Sequence, residues 1–277
     1  MTYVVTGATG PFGRLAVESL LRRGVPAGEI RGIGRQIEKA ADLGVEIRRA
    51  DYEDGDALRD AFAGASRLLF VSGSELGRRR QGQHANVVAA AVEAGVELVA
   101  YTSILNAATS TMDLAEDHRA TEKLLTDSGL RSVFLRNGFY YEVYAGQVPA
   151  YLEHGVAGAA GDGPIGAAAR ADLADAAAAV LTQEPEKGVY ELAAEVFTLA
   201  TLAEAVTEVT GRPVGYTPLT GEQYREVLKG AGLPDEVAGI VVGIDLGIAG
   251  GNLAASGDDL AKLIGRPPVT LREALAQ

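Results

Sequence analysis

Three glycines, Gly7, Gly10 and Gly13, recur at every third position in Thr6-Gly7-Ala8-Thr9-Gly10-Pro11-Phe12-Gly13. Glycines so spaced suit one task, which is closing a backbone turn around phosphate. Gly7 permits the tight turn, Gly10 keeps a Cβ away from a pyrophosphate, and Gly13 lets a following helix lie close to a sheet. The flanking residues agree. Tyr3-Val4-Val5 is a β-branched run too short for a helix, and Leu15, Val17, Leu20 and Leu21 form a stripe at helical spacing. A strand, a glycine turn and a helix bring unpaired amides and the positive end of the helix dipole to one point. Gly7, Ala8, Thr9, Gly10, Pro11, Phe12 and Gly13 are therefore expected to hold the diphosphate of a dinucleotide.

A second position bears on which dinucleotide. Ile30-Arg31-Gly32-Ile33-Gly34 reads as the next strand and ends at Arg35, where a chain built for NAD carries Asp or Glu. A guanidinium suits a ribose 2′-phosphate in charge and in bidentate geometry, which predicts NADP(H), with Arg14 or Lys39 assisting. Asp51, just after a strand over residues 45–48, is placed to accept from the adenine amino group. Ser72, Gly73 and Ser74 follow the buried run Arg67-Leu68-Leu69-Phe70-Val71, and small residues there let backbone lie along the cofactor.

Positioning these residues requires strands that all end at one edge. Further strands are predicted at residues 97–101, ending in Thr102-Ser103, and at 132–135, ending in Arg136-Asn137-Gly138-Phe139-Tyr140-Tyr141. Helices over residues 84–94 and 113–128, each closed by glycine, lie between them. Such alternation implies an α/β fold, a Rossmann-type doubly wound parallel sheet. The basic cluster Arg78-Arg79-Arg80 reads as a solvated loop, and His84 as a capping or packing residue.

After residue 138 the pattern changes. Residues 139–154 look helical, residues 172–181 form an alanine-rich helix, and residues 189–192 a strand. Helices follow at 199–209, 224–229 and 260–264, while the glycines recurring over 239–251 predict mobility there. The expected division is a cofactor-binding domain over 1–138, to which segments near 155–195 return, and a smaller α+β substrate domain over 139–277.

A net charge of −12 argues against nucleic-acid binding, which needs a basic face. The three histidines lie far apart and cysteine is absent, so no metal site is expected. No apolar run is long enough to span a membrane and no leader pattern precedes the first strand, so the protein is expected to be cytoplasmic. The sequence is compatible with a homo-oligomer.

These pieces resemble the NmrA-like group of atypical short-chain dehydrogenase/reductases. Thr6-Gly7-Ala8-Thr9-Gly10, Asp51-Tyr52, Tyr101-Thr102-Ser103, Thr121-Glu122-Lys123-Leu124-Leu125 and Leu135-Arg136-Asn137-Gly138 carry the likeness. Leu152-Glu153-His154-Gly155, Ala160-Gly161-Asp162-Gly163 and Arg170-Ala171-Asp172 extend it towards the bacterial NADPH:quinone oxidoreductases of that group. The resemblance implies that Asn137, Gly138, Phe139, Tyr140, Tyr141, Glu142, Arg170 and Asp172 line the nicotinamide end and the substrate cleft.

A typical dehydrogenase of this superfamily carries Tyr-x-x-x-Lys on the helix after the fifth strand, with tyrosine as the proton donor. Here those positions fall on Leu114 and His118, while Ser103 stands where the superfamily has its serine. Two readings follow. In one, hydride passes from NADPH to a planar quinone-like acceptor whose reduced oxygen is a stable phenolate, with Ser103, His118, Asn137 and Tyr140 as the candidate catalytic residues. In the other, the chain binds NADP(H) without turnover and reports redox state to a protein partner. The aromatic triplet at residues 139–141 offers flat faces to a planar ring and favours the first.

Overall fold

The computed structural model describes residues 1–255 and 257–277. Its first half runs β1 (Tyr3–Val5), α1 (Pro11–Arg22), β2 (Ile30–Gly34), β3 (Glu46–Arg49), α2 (Gly55–Phe62), β4 (Arg67–Phe70), α3 (Gly77–Glu93), β5 (Leu98–Ile104), α4 (Asp113–Asp127) and β6 (Ser132–Asn137). Then come β7 (Phe139–Tyr140), α5 (Tyr141–Ala145), α6 (Val148–His154), β8 (Val156–Gly158), β9 (Ile165–Ala168), α7 (Arg170–Thr182), β10 (Val189–Leu192) and β11 (Glu195–Phe197). The chain ends through α8 (Leu199–Thr210), β12 (Tyr216–Pro218), α9 (Gly221–Gly230), α10 (Asp235–Ala249), α11 (Asp259–Ile264) and α12 (Leu271–Leu275).

Seven parallel strands form the main sheet in the order β10-β6-β5-β4-β1-β2-β3. Strand order reverses between β1 and β4, and a sheet wound this way leaves a crevice beyond the carboxyl ends of those strands. Side chains alternate across the sheet. Val5, Leu69, Ala100 and Leu135 face α1 and α7, whereas Val4, Phe70 and Tyr101 face α2 and α3. Ala174, Ala176, Ala177, Ala178 and Ala179 of α7 are fully buried and let that helix lie close against α1.

A second apolar cluster gathers Tyr141, Ile165, Phe197, Leu202 and Ile248 around the small sheet β11-β9-β7. Among the described residues no helix is long and apolar enough to cross a membrane.

Three local expectations are corrected. Of residues 239–251, expected to be mobile, 239–249 lie on α10; Gly239, Gly243 and Gly247 share one face, and a Cβ at Gly247 would meet Met112 Cγ at 2.5 Å. At Gly247 glycine serves close packing, whereas a Cβ at Gly243 would meet nothing within 4 Å. The single helix expected over 139–154 divides into β7, α5 and α6, the last opening at Val148-Pro149, where proline suits a first helical turn. Arg78, Arg79 and Arg80 lie on α3, not in a loop, and Arg80 is 5% exposed.

Candidate active site

The turn after β1 is fixed almost wholly by backbone. Gly7 has φ +63°, the Gly10 N–H donates to Gly7 O at 2.9 Å, and the Ala8 N–H donates to Ile33 O at 2.9 Å. Gly10 caps α1 without any side-chain hydrogen bond, so the amides of the first turn stay open to a ligand. Thr6 joins the turn to its neighbours: its Oγ1 accepts from Val71 N at 2.9 Å and lies 2.5 Å from the Tyr52 hydroxyl, itself 2.7 Å from Val71 O. Burial pushes the Tyr52 phenol up, so it keeps its proton.

A cavity of about 540 Å³ opens above this turn. Gly7, Thr9, Gly10, Pro11, Phe12 and Gly13 line its middle, Arg35 and Asp51 line the β2–β3 side, and Ser72, Gly73 and Ser74 form a wall after β4. Tyr140 and Arg170 close the opposite side. The Tyr140 ring lies 6.2 Å from that of Phe12, and the Arg170 guanidinium sits 4.7 Å above the Tyr140 ring centroid.

Sequence reasoning missed Ile33, Gly34, Ala50, Tyr52, Val71, Glu75 and Gln83 as lining residues. Most adjoin predicted positions at strand ends, so extending each strand by a residue would have found them. Gln83 carries no local signal, because only the packing of α3 brings it there.

Several predicted residues stand elsewhere. Ala8 is fully buried beneath the turn. Gly138 is needed where β6 crosses β9, since a Cβ there would meet Gly166 O at 2.5 Å. Phe139 and Tyr141 belong to the second apolar cluster, so only Tyr140 of the aromatic triplet reaches the cavity. Glu142 accepts from the Arg170 backbone N–H at 2.9 Å and so holds the start of α7. Asp172 neither pairs with Arg170 nor caps the helix; fully buried, it accepts from Arg266 Nη2 at 2.5 Å and Val269 N at 2.7 Å, tying down the C-terminal segment.

The two residues placed by superfamily counting also face away from the cavity. Ser103 Oγ donates to Glu122 Oε1 at 2.6 Å, and both Glu122 oxygens are taken by Arg136, at 2.9 and 2.7 Å. Alternation along β5 explains this: Ser103 points towards α4, while its neighbour Thr102 accepts from the Ser72 N–H at 2.8 Å. His118 is buried with Nδ1 2.9 Å from the Tyr101 hydroxyl, and burial together with the Arg80 charge holds its pKa well below the usual value. It is a neutral packing residue and not a proton shuttle.

Asn137 differs from these. It is 5% exposed and does not line the cavity, yet among the described residues neither amide atom has a hydrogen-bond partner. A buried primary amide so placed is costly unless something else pairs with it.

The Ser103–Glu122–Arg136 network is expected to serve stability. Removing Glu122 leaves Arg136 with Glu191 alone, at 3.0 Å, so Glu122→Ala should lower unfolding free energy by about 2 kcal/mol. Urea denaturation checks this, and cofactor affinity, read separately, should change by less than about twofold because the network lies off the cavity.

Residues 7–184 match the NAD(P)H-binding family. The chain is 46% identical to quinone oxidoreductase 2 of Escherichia coli, over 98% of this chain and 96% of that protein. A crystal structure of that NADPH-dependent quinone oxidoreductase complexed with NADPH superposes with TM-score 0.94, covering 99% of this chain and 98% of the other. An NmrA-like family domain-containing oxidoreductase of Aspergillus flavus is 29% identical over 100% of this chain and 94% of its own length. The chain belongs to the NAD(P)H-binding family. The triphenylmethane reductase of Citrobacter sp., solved with NADP(H), is 39% identical over 99% of each chain, with TM-score 0.93.

The family binds NAD(P)H, and the residues present fit its phosphorylated form. The uncapped turn before α1 suits a diphosphate, and Arg35 is 71% exposed at the cavity edge with Asp51 no nearer than 3.9 Å. Arg14, expected to assist, is already engaged: it bonds both Asp42 oxygens, at 2.9 and 2.5 Å, and Lys39 O at 2.7 Å.

Proposed function

We propose that this protein transfers hydride from NADPH to a planar, electron-poor acceptor of the quinone type. The observation that carries the reading is a cofactor cavity, with Arg35 exposed at one side and the Tyr140–Arg170 pair at the other, lined by neither Leu114 nor His118, the two positions where the superfamily carries its tyrosine and lysine. In this reading residues 1–138, with α7 and β10 of the segment near 155–195 returning to the same sheet, bind the cofactor, and the second cluster supports the acceptor.

Bound NADPH supplies the hydride. Gly7 to Gly13 hold the diphosphate, Arg35 the 2′-phosphate, and Ser72 to Ser74 the adenosine side. Tyr140 offers a ring face at the nicotinamide end. Leu114 stands where a catalytic tyrosine would be, and His118 is turned into the core, so catalysis rests on orientation and on exclusion of water.

Hydride acceptors that need no prior protonation suit such a site. A quinone becomes a phenolate, and a triarylmethyl cation of the kind implied by the Citrobacter relative's name becomes neutral on accepting hydride. The shared requirement is a flat, conjugated, electron-poor centre.

The test is to incubate the pure protein with NADPH and simple quinones and follow loss of nicotinamide absorbance. NADPH bound but never consumed, across quinones and triarylmethane dyes alike, overturns the proposal. Arg35→Ala should raise the KM for NADPH about tenfold or more, the worth of a charge-assisted hydrogen bond, and change that for NADH by less than about twofold. An unchanged preference between the two cofactors removes Arg35 from the 2′-phosphate.

A further inference from the structure

Arg80, Gln83 and His84 of α3 stand at i, i+3 and i+4, so they share one helix face, and all three are buried. That face closes on a single residue, Gly73, in the loop after β4. The Gly73 N–H donates to His84 Nε2 at 3.0 Å. Arg80 Nε donates to Gly73 O at 3.0 Å, and Arg80 Nη2 donates to the same oxygen. Gln83 fills the remaining side, its Oε1 lying 3.3 Å from where a Cβ of residue 73 would be. Both backbone polar groups of Gly73 are thus held by buried side chains.

The network also assigns the histidine proton. Thr121 Oγ1 donates to Asp117 O at 3.0 Å, which leaves it to accept from His84 Nδ1 at 2.8 Å. The proton therefore sits on Nδ1, and Nε2 is free to accept from Gly73. Burial, and then the Arg80 charge, push the His84 pKa down to about 3, so this tautomer persists at neutral pH.

We infer that His84 and Arg80 are positioning residues for the cofactor, acting through Gly73. Neither lines the cavity, whereas Ser72, Gly73 and Ser74 do. A glycine loop left free would adopt many shapes, and binding would have to select one of them. The α3 clasp makes that selection before the cofactor arrives, and Ser72, bonded to Thr102, extends it along the wall. This inference rests on the reading of the cavity as the NADP(H) site.

The experiment measures NADPH affinity by fluorescence titration, with kcat and acceptor KM, for wild type, His84→Leu, His84→Asn and His84→Gln. The Gln side chain reaches far enough to place an oxygen where Nε2 was; Leu offers no acceptor and Asn falls short. His84→Leu and His84→Asn should weaken NADPH binding about tenfold, with kcat at saturating NADPH and acceptor KM unchanged, and His84→Gln should restore affinity to within about twofold of wild type. A purely structural role would lower melting temperature in all three variants without this split. Wild-type affinity in the Leu and Asn variants, or a Gln variant as weak as Leu, overturns the inference. Should Leu and Asn both fail to fold, Arg80→Lys reads the carbonyl side of the clasp with the same expected affinity loss, and unchanged affinity there overturns it. Failure of the wild type itself to bind NADPH would instead reject the cavity assignment.

Discussion

Gly13→Ala is expected to weaken NADPH binding more than about a hundredfold, about 2.8 kcal/mol at 1.4 kcal/mol per factor of ten. A Cβ on residue 13 would overlap the Gly7 carbonyl and lie 2.8 Å from Ala8 N. All of the obstructing atoms are backbone, so no rotamer change relieves the clash, and α1 must retreat from the turn that its amides complete. Overpacking of this kind costs about 1–3 kcal/mol in stability as well. The other glycines of the turn behave differently. At Gly10 a Cβ would stand 3.3 Å from Gly7 O, a tight contact that a small shift relieves. Gly28, with nothing within 4 Å of its Cβ position and no positive φ, provides a neutral control as Gly28→Ala. Fluorescence titration with NADPH, alongside circular dichroism to confirm folding, reads the comparison. Binding by Gly13→Ala within about threefold of wild type would show that the α1 amides do not hold the cofactor.

What was legible in the chain was local. The glycine turn and its flanking strand and helix fit within 22 residues, and the strand ends that carry Arg35, Asp51 and Ser72 to Ser74 follow from apolar runs and their length. Period two along β5 already separates Thr102 from Ser103, so the outward serine was readable in principle; counting from a superfamily pattern obscured it. The clasp on Gly73 was not readable, because it depends on how α3 doubles back over the loop that precedes it. Asp172 needed Arg266 and Val269, 94 and 97 residues on, to reveal its role. For His118, the flanking charges Asp117 and Arg119 give no local sign of burial, but the register of α4 turns both His118 and Asp117 inward. Long-range partners decide these residues, and no local periodicity encodes them.

Acid is expected to unfold this protein through its buried histidines before its carboxylates matter. Burial and the Arg80 charge hold His84 at a pKa of about 3 and His118 well below the ordinary value. In the folded state both stay neutral, while in the unfolded chain each takes up a proton below about pH 6.5. The unfolded state therefore binds more protons as pH falls, so this stabilisation is present above pH 6.5 and is lost on the way down towards 3. Each group contributes about 1.4 kcal/mol per pH unit once below 6.5, so the pair should remove about 4 kcal/mol between pH 7 and pH 5. Urea midpoints at pH 7, 6 and 5 measure the loss, and His84→Gln or His118→Gln should each halve the slope. Stability that stays flat from pH 7 to 5, or a slope unmoved by either substitution, would mean that these rings are hydrated or charged in the fold. Saturating NADPH should raise the whole curve by mass action without altering its slope in this window, because neither histidine lines the cavity and both are neutral with or without ligand.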